Sequence, residues 1–539
     1  MSTVRLTLQR PAQRALPATV RDPDRLEAVA RDAAAMEGSG ASGLVEPRSE
    51  EELCAWLRAN PDTAVLPQGA LTSLTGGATP CGEVVISLAR LRHLRVDPQT
   101  SRAVAGAGLV LAELHATLAE HGLYYPPAPT HDGASIGGNV ATNAAGAATF
   151  AYGTTRDWVQ RIRVALRHGE VLEITRGEHR MHPGDILELL GERCLSVPIP
   201  TALSPQLRKT SAAYMVRDPM DPIDLFIGSE GTLGIITEVE LSLRPLPTEL
   251  LALVFLPDDA SAVALTRTLR ERSRLTGQGE RPGGLAVRSI EYFDARCLAL
   301  IQAEGKLEEL RVTVPEGASA ALLLVHELPA GTRDEAVMGQ LDSAFAGAPE
   351  GPIADLVDAL LAHDALETTE LALPEQSSRQ AQLAAVREAI PLAVSEWLLR
   401  HQRQDPAVHK LGGDMIVPFE HFATMLDAYR SVFAEHGLEA CIYGHISDGN
   451  VHPNALPTSA ADMAAGEAAL LELAAQAIAL GGCPLSEHGV GRSPLKQRML
   501  VMTRGPEAMD QLRATKAALD PGWSLAPGVL FSAPTHTLE

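Results

Sequence analysis

The chain lacks the sequence features of several protein classes. Its six cysteines are scattered, with no CxxC or close cluster, so neither a zinc ribbon nor an iron–sulfur ligand set is expected. The formal net charge of -22 disfavours nucleic acid and anionic membranes as partners, since both require a basic surface. No apolar run is long enough to span a bilayer. These absences favour a cytoplasmic protein with reduced thiols.

What is present is the composition of a soluble globular protein. The 539 residues are 45% hydrophobic and 21% charged, and this length predicts two or more domains. The N-terminus has positive charge but no apolar stretch, so a secretory signal is not expected. Its arginine and serine content faintly resembles a transit peptide, but a disordered or domain-covering tail is favoured. The segment of residues 177–222 is long and polar and is interpreted as an insertion.

Three runs rich in small residues stand out in the first half of the chain. They read PQGALTSLTGGA at residues 67–78, SIGGNVATNAAG at residues 135–146 and GSEGTLGIIT at residues 228–237. Small residues let the backbone approach a bulky group with its N–H groups directed at it. One such run alone would favour a turn in a core. Three within one domain's length predict a large phosphate-bearing ligand.

In this order the three runs resemble the FAD-binding domain of the vanillyl-alcohol oxidase/p-cresol methylhydroxylase flavoproteins. The most similar branch contains D-lactate dehydrogenases, D-2-hydroxyglutarate dehydrogenase and the glycolate oxidase flavoprotein. The resemblance implies an α+β fold: a two-part FAD-binding domain, a ferredoxin-like antiparallel-sheet substrate (cap) domain and a C-terminal helical segment. The implied boundaries are 1–40 for an N-terminal extension, 41–246 for the FAD domain and 247–480 for the cap. Residues 481–539 would complete the active site and pack on the FAD domain.

The resemblance assigns FAD contacts to the three runs and their neighbours. These residues are Pro67, Gly69, Thr72, Ser73, Leu74, Thr75, Gly76, Pro129, Ser135, Gly137, Gly138, Asn139, Thr142, Asn143, Gly146, Tyr152, Gly153, Glu230, Gly231, Gly234, Ile235 and Ile236. The first run contains no His or Cys that could carry a covalent link, so noncovalent FAD is expected. It also has Ala70 and Leu71 where the family usually shows consecutive glycines. A positive φ at either position would strain the loop.

A second constellation, GHISDGNVHPN at residues 444–454, has the pattern of a hairpin. Asp448-Gly449 is a strong two-residue turn signal, and such a turn would oppose His445 and His452 on one face of the sheet. Two imidazoles so placed can share a metal ion, and Glu487 in SEHGVGR, residues 486–492, could complete a His/His/carboxylate set. Exposed polar hairpin residues are the alternative that this pattern leaves open.

The family pattern GH-x-GDGN-x-H followed by EHG-x-G favours the metal hypothesis. It implies that His445, His452 and Glu487 bind a divalent metal (Zn, Mn, Fe or Co) and that His488 is the catalytic base. The chain departs from this pattern at Ser447, where the family usually has Gly. A further departure is LAPG at residues 525–528, which replaces the usual Asn-Pro-Gly.

Two cations are candidates for binding a substrate carboxylate. Arg387 occupies the position of the family's substrate arginine, and a guanidinium can bind a carboxylate through two hydrogen bonds. Lys410 resembles a second anchor, although its spacing to Asp414 is shifted. For both, a solvated cation on a helix surface is the open alternative.

The resemblance implies oxidation of a D-2-hydroxy acid (D-lactate, D-2-hydroxyglutarate or a glycolate-like substrate) to the 2-oxo acid. The base would take the hydroxyl proton, and the Cα hydride would pass to flavin N5. No convincing NAD fingerprint is present, so the expected electron acceptor is an electron-transfer protein, a quinone or oxygen. Two alternatives remain: an enzyme similar to alkyl-dihydroxyacetonephosphate synthase, without net redox turnover, and a flavin-binding subunit of a larger complex. Each of these three functions is compatible with a homodimer.

Overall fold

The computed structural model describes residues 2–127, 131–276, 284–348 and 351–533. Its strands are β1 Thr3–Gln9, β2 Gly43–Val45, β3 Val65–Gln68, β4 Val84–Ser87, β5 Leu94–Asp97, β6 Arg102–Gly106, β7 Leu123–Tyr124, β8 Val159–Ala165, β9 Val171–Thr175, β10 Ile186–Leu190, β11 Cys194–Pro198, β12 Ile235–Ser242, β13 Arg244–Pro245, β14 Thr248–Leu256, β15 Val287–Asp294, β16 Ala320–Leu328, β17 Thr369–Ala372, β18 Leu411–Gly412, β19 Met415–Ile416, β20 Ala440–His445 and β21 Asn450–Ala455.

The α-helices alternate irregularly with these strands. They are α1 Pro23–Glu27, α2 Glu50–Ala59, α3 Leu111–Glu120, α4 Ile136–Thr142, α5 Thr149–Tyr152, α6 Thr155–Trp158, α7 Ile223–Phe226, α8 Asp259–Arg272, α9 Ala295–Ala303, α10 Lys306–Glu309, α11 Asp334–Phe345, α12 Pro352–Ala362, α13 Ser377–Gln402, α14 Phe422–Glu435, α15 Ala460–Ala479 and α16 Pro494–Leu519. The chain forms two compact units. The first unit comprises residues 1–145, 154–244 and 485–539, and the second unit comprises residues 146–153 and 245–484.

The first unit contains an eight-stranded sheet in the order β11-β10-β1-β9-β8-β12-β6-β5. Along β12, buried and partly exposed residues alternate after Thr237, as expected for a strand with one face on the core. A small parallel sheet of β2, β4 and β3 shares a core with α2, to which Leu53 and Trp56 contribute. Ser49 is the N-cap of helix α2, and its hydroxyl accepts the Glu52 N–H.

The N-terminal residues Thr3–Gln9 form a strand of the large sheet, so of the two expectations, a disordered or a domain-covering tail, this segment fits the second. Strand β1 pairs in parallel with β10, from Thr3 opposite Ile186 to Thr7 opposite Leu190. Strands β10 and β11 lie within the insertion predicted at residues 177–222. The N-terminal strand β1 and strand β10 of the insertion therefore pair with each other through backbone hydrogen bonds. Because the partners are about 180 residues apart in sequence, neither local pattern indicated the pairing.

The second unit is built on an antiparallel sheet in the order β17-β14-β16-β15-β20-β21-β18, with β19 also paired to β21. Helices α9 and α13 cover one part of it, and their buried Ile301 and Ile390 share a core with Leu251 and Leu323 of β14 and β16. Strand β15 lies beside β20, which places Glu291 opposite His445. This pairing determines much of the site described below.

Candidate active site residues

The first unit contains a cavity with about 1300 Å³ of atom-free space, part of it open to solvent. All three small-residue runs contribute to its wall. The predicted cofactor residues that line it are Pro67, Gly69, Thr72, Ser73, Leu74, Ser135, Gly137, Gly138, Asn139, Thr142, Glu230, Gly231, Gly234, Ile235 and Ile236. Residues far apart in sequence thus meet around one cavity large enough to hold part of a dinucleotide.

Some predicted cofactor residues lie elsewhere. Thr75, Gly76 and Asn143 belong to the first unit but are not among the residues that line this cavity. Gly146, Tyr152 and Gly153 belong to the second unit, where the Tyr152 hydroxyl donates to Glu327. Pro129 lies outside the described residues.

The central run folds differently from the loop that its composition suggested. Residues Ile136–Thr142 form helix α4, which begins at Ser135, whose Oγ accepts the Gly138 N–H, and ends at Asn143 with a φ of 50°. Gly137 of this run and Gly69 of the first run permit close packing within the protein. A Cβ added at Gly137 would lie 2.5 Å from the Ala107 side chain, and one at Gly69 would lie 2.2 Å from Ser135 Oγ.

The first run has the expected backbone strain. Leu71 has a φ of 61°, whereas Ala70 is not in the left-handed region. The same conformation occurs at Ala526, with a φ of 46°, in the stretch that replaces Asn-Pro-Gly. Asparagine tolerates this conformation better than alanine does. The substitution therefore places a strained residue where the family pattern has a more tolerant one.

The segment SEHGVGR contributes two side chains to the same cavity. Glu487 and His488 both line it, and the nearest carboxylate oxygen of Glu487 lies 3.8 Å from His488 Nε2. On its other side, the Glu487 carboxylate accepts a hydrogen bond from Lys209 Nζ at 2.6 Å, with both side chains buried. Lys209 lies within residues 177–222, the segment interpreted as an insertion. The proposed base thus lies in the cavity beside an acid whose own orientation is fixed by a lysine.

Glu230 holds the backbone of this segment rather than presenting a free carboxylate to the cavity. Its two oxygens accept the N–H groups of Val490 and Gly491, each at 2.8 Å. Burial raises the pKa of Glu230 to about 7, and these two amide donors only partly counteract it. The third run and the segment that carries His488 are therefore joined by a half-buried acid.

In the second unit, the hairpin register differs from the prediction by two residues. Tyr443, not His445, pairs with His452, because a 3-10 turn at Ile446–Asp448 followed by Gly449 in the left-handed conformation replaces the expected two-residue turn. Since the shift is an even number, the two histidines still lie on one face. Their ring centroids are 5.3 Å apart and the rings are nearly perpendicular, at 88°.

Each histidine faces a buried acid through Nδ1. His445 Nδ1 lies 2.5 Å from Glu291 Oε1, and His452 Nδ1 lies 3.6 Å from Asp414 Oδ1. The Asp414 carboxylate also accepts from the Asn450 amide. Sequence reasoning missed both acids as site residues. Asp414 was visible as part of the motif around Lys410, whereas Glu291 is a single acid in a strand and carries no local signal.

Glu291 joins His445 to Arg387. Its second oxygen accepts from Arg387 Nε at 3.2 Å. Burial alone would raise the pKa of Glu291, but the charges and hydrogen bonds of His445 and Arg387 lower it to about 2. Arg387 is therefore a half-buried partner of an acid and not a fully solvated cation on the surface of α13. Lys410, by contrast, is exposed just before β18.

The hairpin turn is fixed by an arginine outside the predicted site. The guanidinium of Arg270, on α8, donates to the Ser447 carbonyl and lies over the ring of Phe419, 4.1 Å from its centroid. Phe150 is a second aromatic neighbour, at 5.2 Å. Ser447, the residue that departs from the family pattern, is fully buried there. The departure is therefore accommodated without exposing the turn.

The donor chemistry within each unit fits the cofactors that the sequence implies. Buried imidazoles with an acid at Nδ1 are donors of the kind that Zn, Mn, Fe and Co accept. The second unit contains His445 and His452 as donors of this kind. For FAD, the small residues and backbone groups of the cavity wall fit a large, flat, phosphate-bearing group.

Comparison with known proteins agrees with an FAD-binding cavity in the first unit. Residues 41–175 match the family described as "FAD binding domain", and residues 249–530 match "FAD linked oxidases, C-terminal domain". A solved structure of 4-ethylphenol oxidase from Gulosibacter chungangensis has a TM-score of 0.64 at 16% identity, covering 96% of this chain and 94% of the other. Alkyldihydroxyacetonephosphate synthase has a TM-score of 0.57, also at 16% identity, with 91% and 76% covered. The fold is thus the p-cresol methylhydroxylase type, as predicted.

Curated relatives extend over nearly the whole chain. D-2-hydroxyglutarate dehydrogenase of Xanthomonas citri pv. viticola is 31% identical, covering 96% of this chain and 95% of the relative. Glycolate oxidase subunit GlcD of Bacillus subtilis is 27% identical (93% and 91% covered), and D-lactate dehydrogenase of Anaerostipes hadrus is 28% identical (90% and 88%). The chain belongs to the FAD-linked oxidase family and is an oxidoreductase. None of the helices in the described part of the chain has the length and apolar character needed to cross a membrane.

Proposed function

We propose that this protein oxidises a D-2-hydroxy acid to the corresponding 2-oxo acid, with FAD as the electron acceptor within the enzyme. The observation that carries the proposal is the position of His488 and Glu487 in the wall of the same cavity as the three small-residue runs. The names of the relatives support the substrate class, because they act on 2-hydroxyglutarate, lactate and glycolate.

In this proposal His488 takes the proton of the substrate hydroxyl as general base. When bound, FAD would supply a hydride acceptor at flavin N5, and a divalent metal would supply polarisation of the substrate hydroxyl. Arg387 binds the substrate carboxylate, and Lys410 is the second anchor. Loss of one proton to the base and one hydride to the flavin converts the alcohol carbon to a carbonyl, so atoms and electrons balance.

The proposed metal ligands are His445, His452 and Glu487. The buried acids at the two histidines support the first two, and the Lys209 contact supports a charged Glu487. FAD is proposed to bind noncovalently. The electron acceptor is proposed to be an electron-transfer protein, a quinone or oxygen, and the protein is proposed to be cytoplasmic.

A screen of D- and L-2-hydroxy acids with an artificial electron acceptor tests this function. We expect turnover of at least one D-isomer, loss of that turnover after chelation, and a visible flavin spectrum that survives chelation. His488→Ala should keep the bound metal and lose turnover, whereas His452→Ala should lose both. Turnover that is unchanged in metal-stripped protein, or an absence of turnover with every acid, would contradict the proposal. The second result would favour the non-redox chemistry of alkyldihydroxyacetonephosphate synthase.

A further inference from the structure

We propose that Glu291 is a positioning residue that fixes His445 in the tautomer required for metal binding. The inference rests on the metal site proposed above and names a residue that the sequence motifs do not contain. Glu291 lies on β15 directly opposite His445 on β20, so their side chains share one face of the sheet. His445 Nδ1 and Glu291 Oε1 are 2.5 Å apart, and both side chains are buried.

The direction of this hydrogen bond follows from the second contact of Glu291. Its other oxygen faces the guanidinium of Arg387, which stabilises the carboxylate form. A carboxylate can only accept hydrogen bonds, so the proton must lie on His445 Nδ1. The lone pair of the neutral ring is then on Nε2. Glu291 therefore decides which nitrogen of His445 is available as a ligand.

His452 also has an acid on its Nδ1 side, but at a longer distance than in the His445–Glu291 pair. His452 Nδ1 is 3.6 Å from Asp414 Oδ1, beyond the usual length of a hydrogen bond. Both acids are on the Nδ1 side, so both rings would use Nε2 toward an ion. The shorter contact at His445 makes Glu291 the more restrictive of the two acids. Orienting partners of this type typically contribute about 10–100-fold to metal affinity.

The experiment measures Zn²⁺ affinity in FAD-loaded, chelator-stripped protein by competition with a chromophoric chelator. We expect Glu291→Gln to weaken binding about 10–100-fold. The matched control is Glu83→Gln, since Glu83 is also a buried acid paired with an arginine, Arg492, and accepts the Cys81 N–H. The control should bind Zn²⁺ as the wild type does. Equal affinity in Glu291→Gln and the wild type would overturn the proposal.

A second variant and a second measurement test the proposal even if Glu291→Gln fails to fold or the wild type binds no metal. Glu291→Asp keeps the charge beside Arg387 but shortens the reach to His445, so it should also weaken Zn²⁺ binding. In metal-free wild type, ¹⁵N chemical shifts of labelled histidine should show His445 protonated at Nδ1. Protonation at Nε2 would overturn the role of Glu291. If the wild type binds no Zn²⁺ but His445 carries its proton on Nδ1, the proposed metal site fails while the positioning role stands.

Discussion

Two hydrogen-bonded glutamates, one in each unit, have opposite electrostatic character. In the first unit, Glu230 is surrounded by backbone amides, and its pKa is raised to about 7. In the second unit, Glu291 is buried and contacts His445 and Arg387, and its pKa is lowered to about 2. Burial penalises the charge in both cases, and only a full opposite charge outweighs that penalty. Glu230 is thus held mainly by backbone groups, and Glu291 by charged side chains.

The largest expected effect is on Glu291. Glu291→Gln removes the charge that faces Arg387, and breaking a buried ion pair typically costs about 3–5 kcal/mol of unfolding free energy. The double variant Glu291→Gln/Arg387→Gln should recover part of this loss, because no buried guanidinium is then left without its acid. Denaturant unfolding of the metal-free protein would measure both. Equal destabilisation in the single and double variants would show that the charges are not coupled.

A smaller effect is expected at Glu230. Because its folded pKa of about 7 lies above the ordinary value of 4.5 for a glutamate, its contribution to stability is fully present below about pH 4.5 and is lost as the pH rises through about 7. Glu230→Gln removes this titration and costs on the order of 1 kcal/mol at low pH. The melting temperature of the variant should therefore rise relative to the wild type between about pH 5 and pH 8. A pH-independent difference would mean that the amides keep Glu230 charged.

The smallest effect is expected where the first unit depends on backbone conformation. Ala526 has a φ of 46°, and a left-handed conformation costs a non-glycine residue about 1–2 kcal/mol. Ala526→Gly should raise the unfolding free energy by a few tenths of a kcal/mol, because the entropy of glycine offsets part of the gain. Ala508→Gly, a buried site within helix α16, is the control and should be destabilising by about 1 kcal/mol. Destabilisation at both sites would show that Ala526 is not strained.

The sequence indicated the residues that carry chemistry better than the residues that orient them. The three runs, the two histidines and the SEHGVGR segment are contiguous motifs with recognisable composition. Glu291 has no such context, because its partner His445 is 154 residues away and meets it only through the pairing of β15 with β20. The hairpin register was predicted incorrectly because the turn is a 3-10 turn, whose extra residues shift every pair.

By itself the sequence indicated the family, the three small-residue runs and the candidate base, since each depends on residue types at short, fixed spacing. The tertiary structure alone decided that the N-terminal strand pairs with the insertion, that Glu230 holds Val490 and Gly491, and that Glu291 faces His445. Each of these contacts joins segments more than 150 residues apart. Contacts at that separation depend on strand order and loop packing, which leave no periodic signal in either segment.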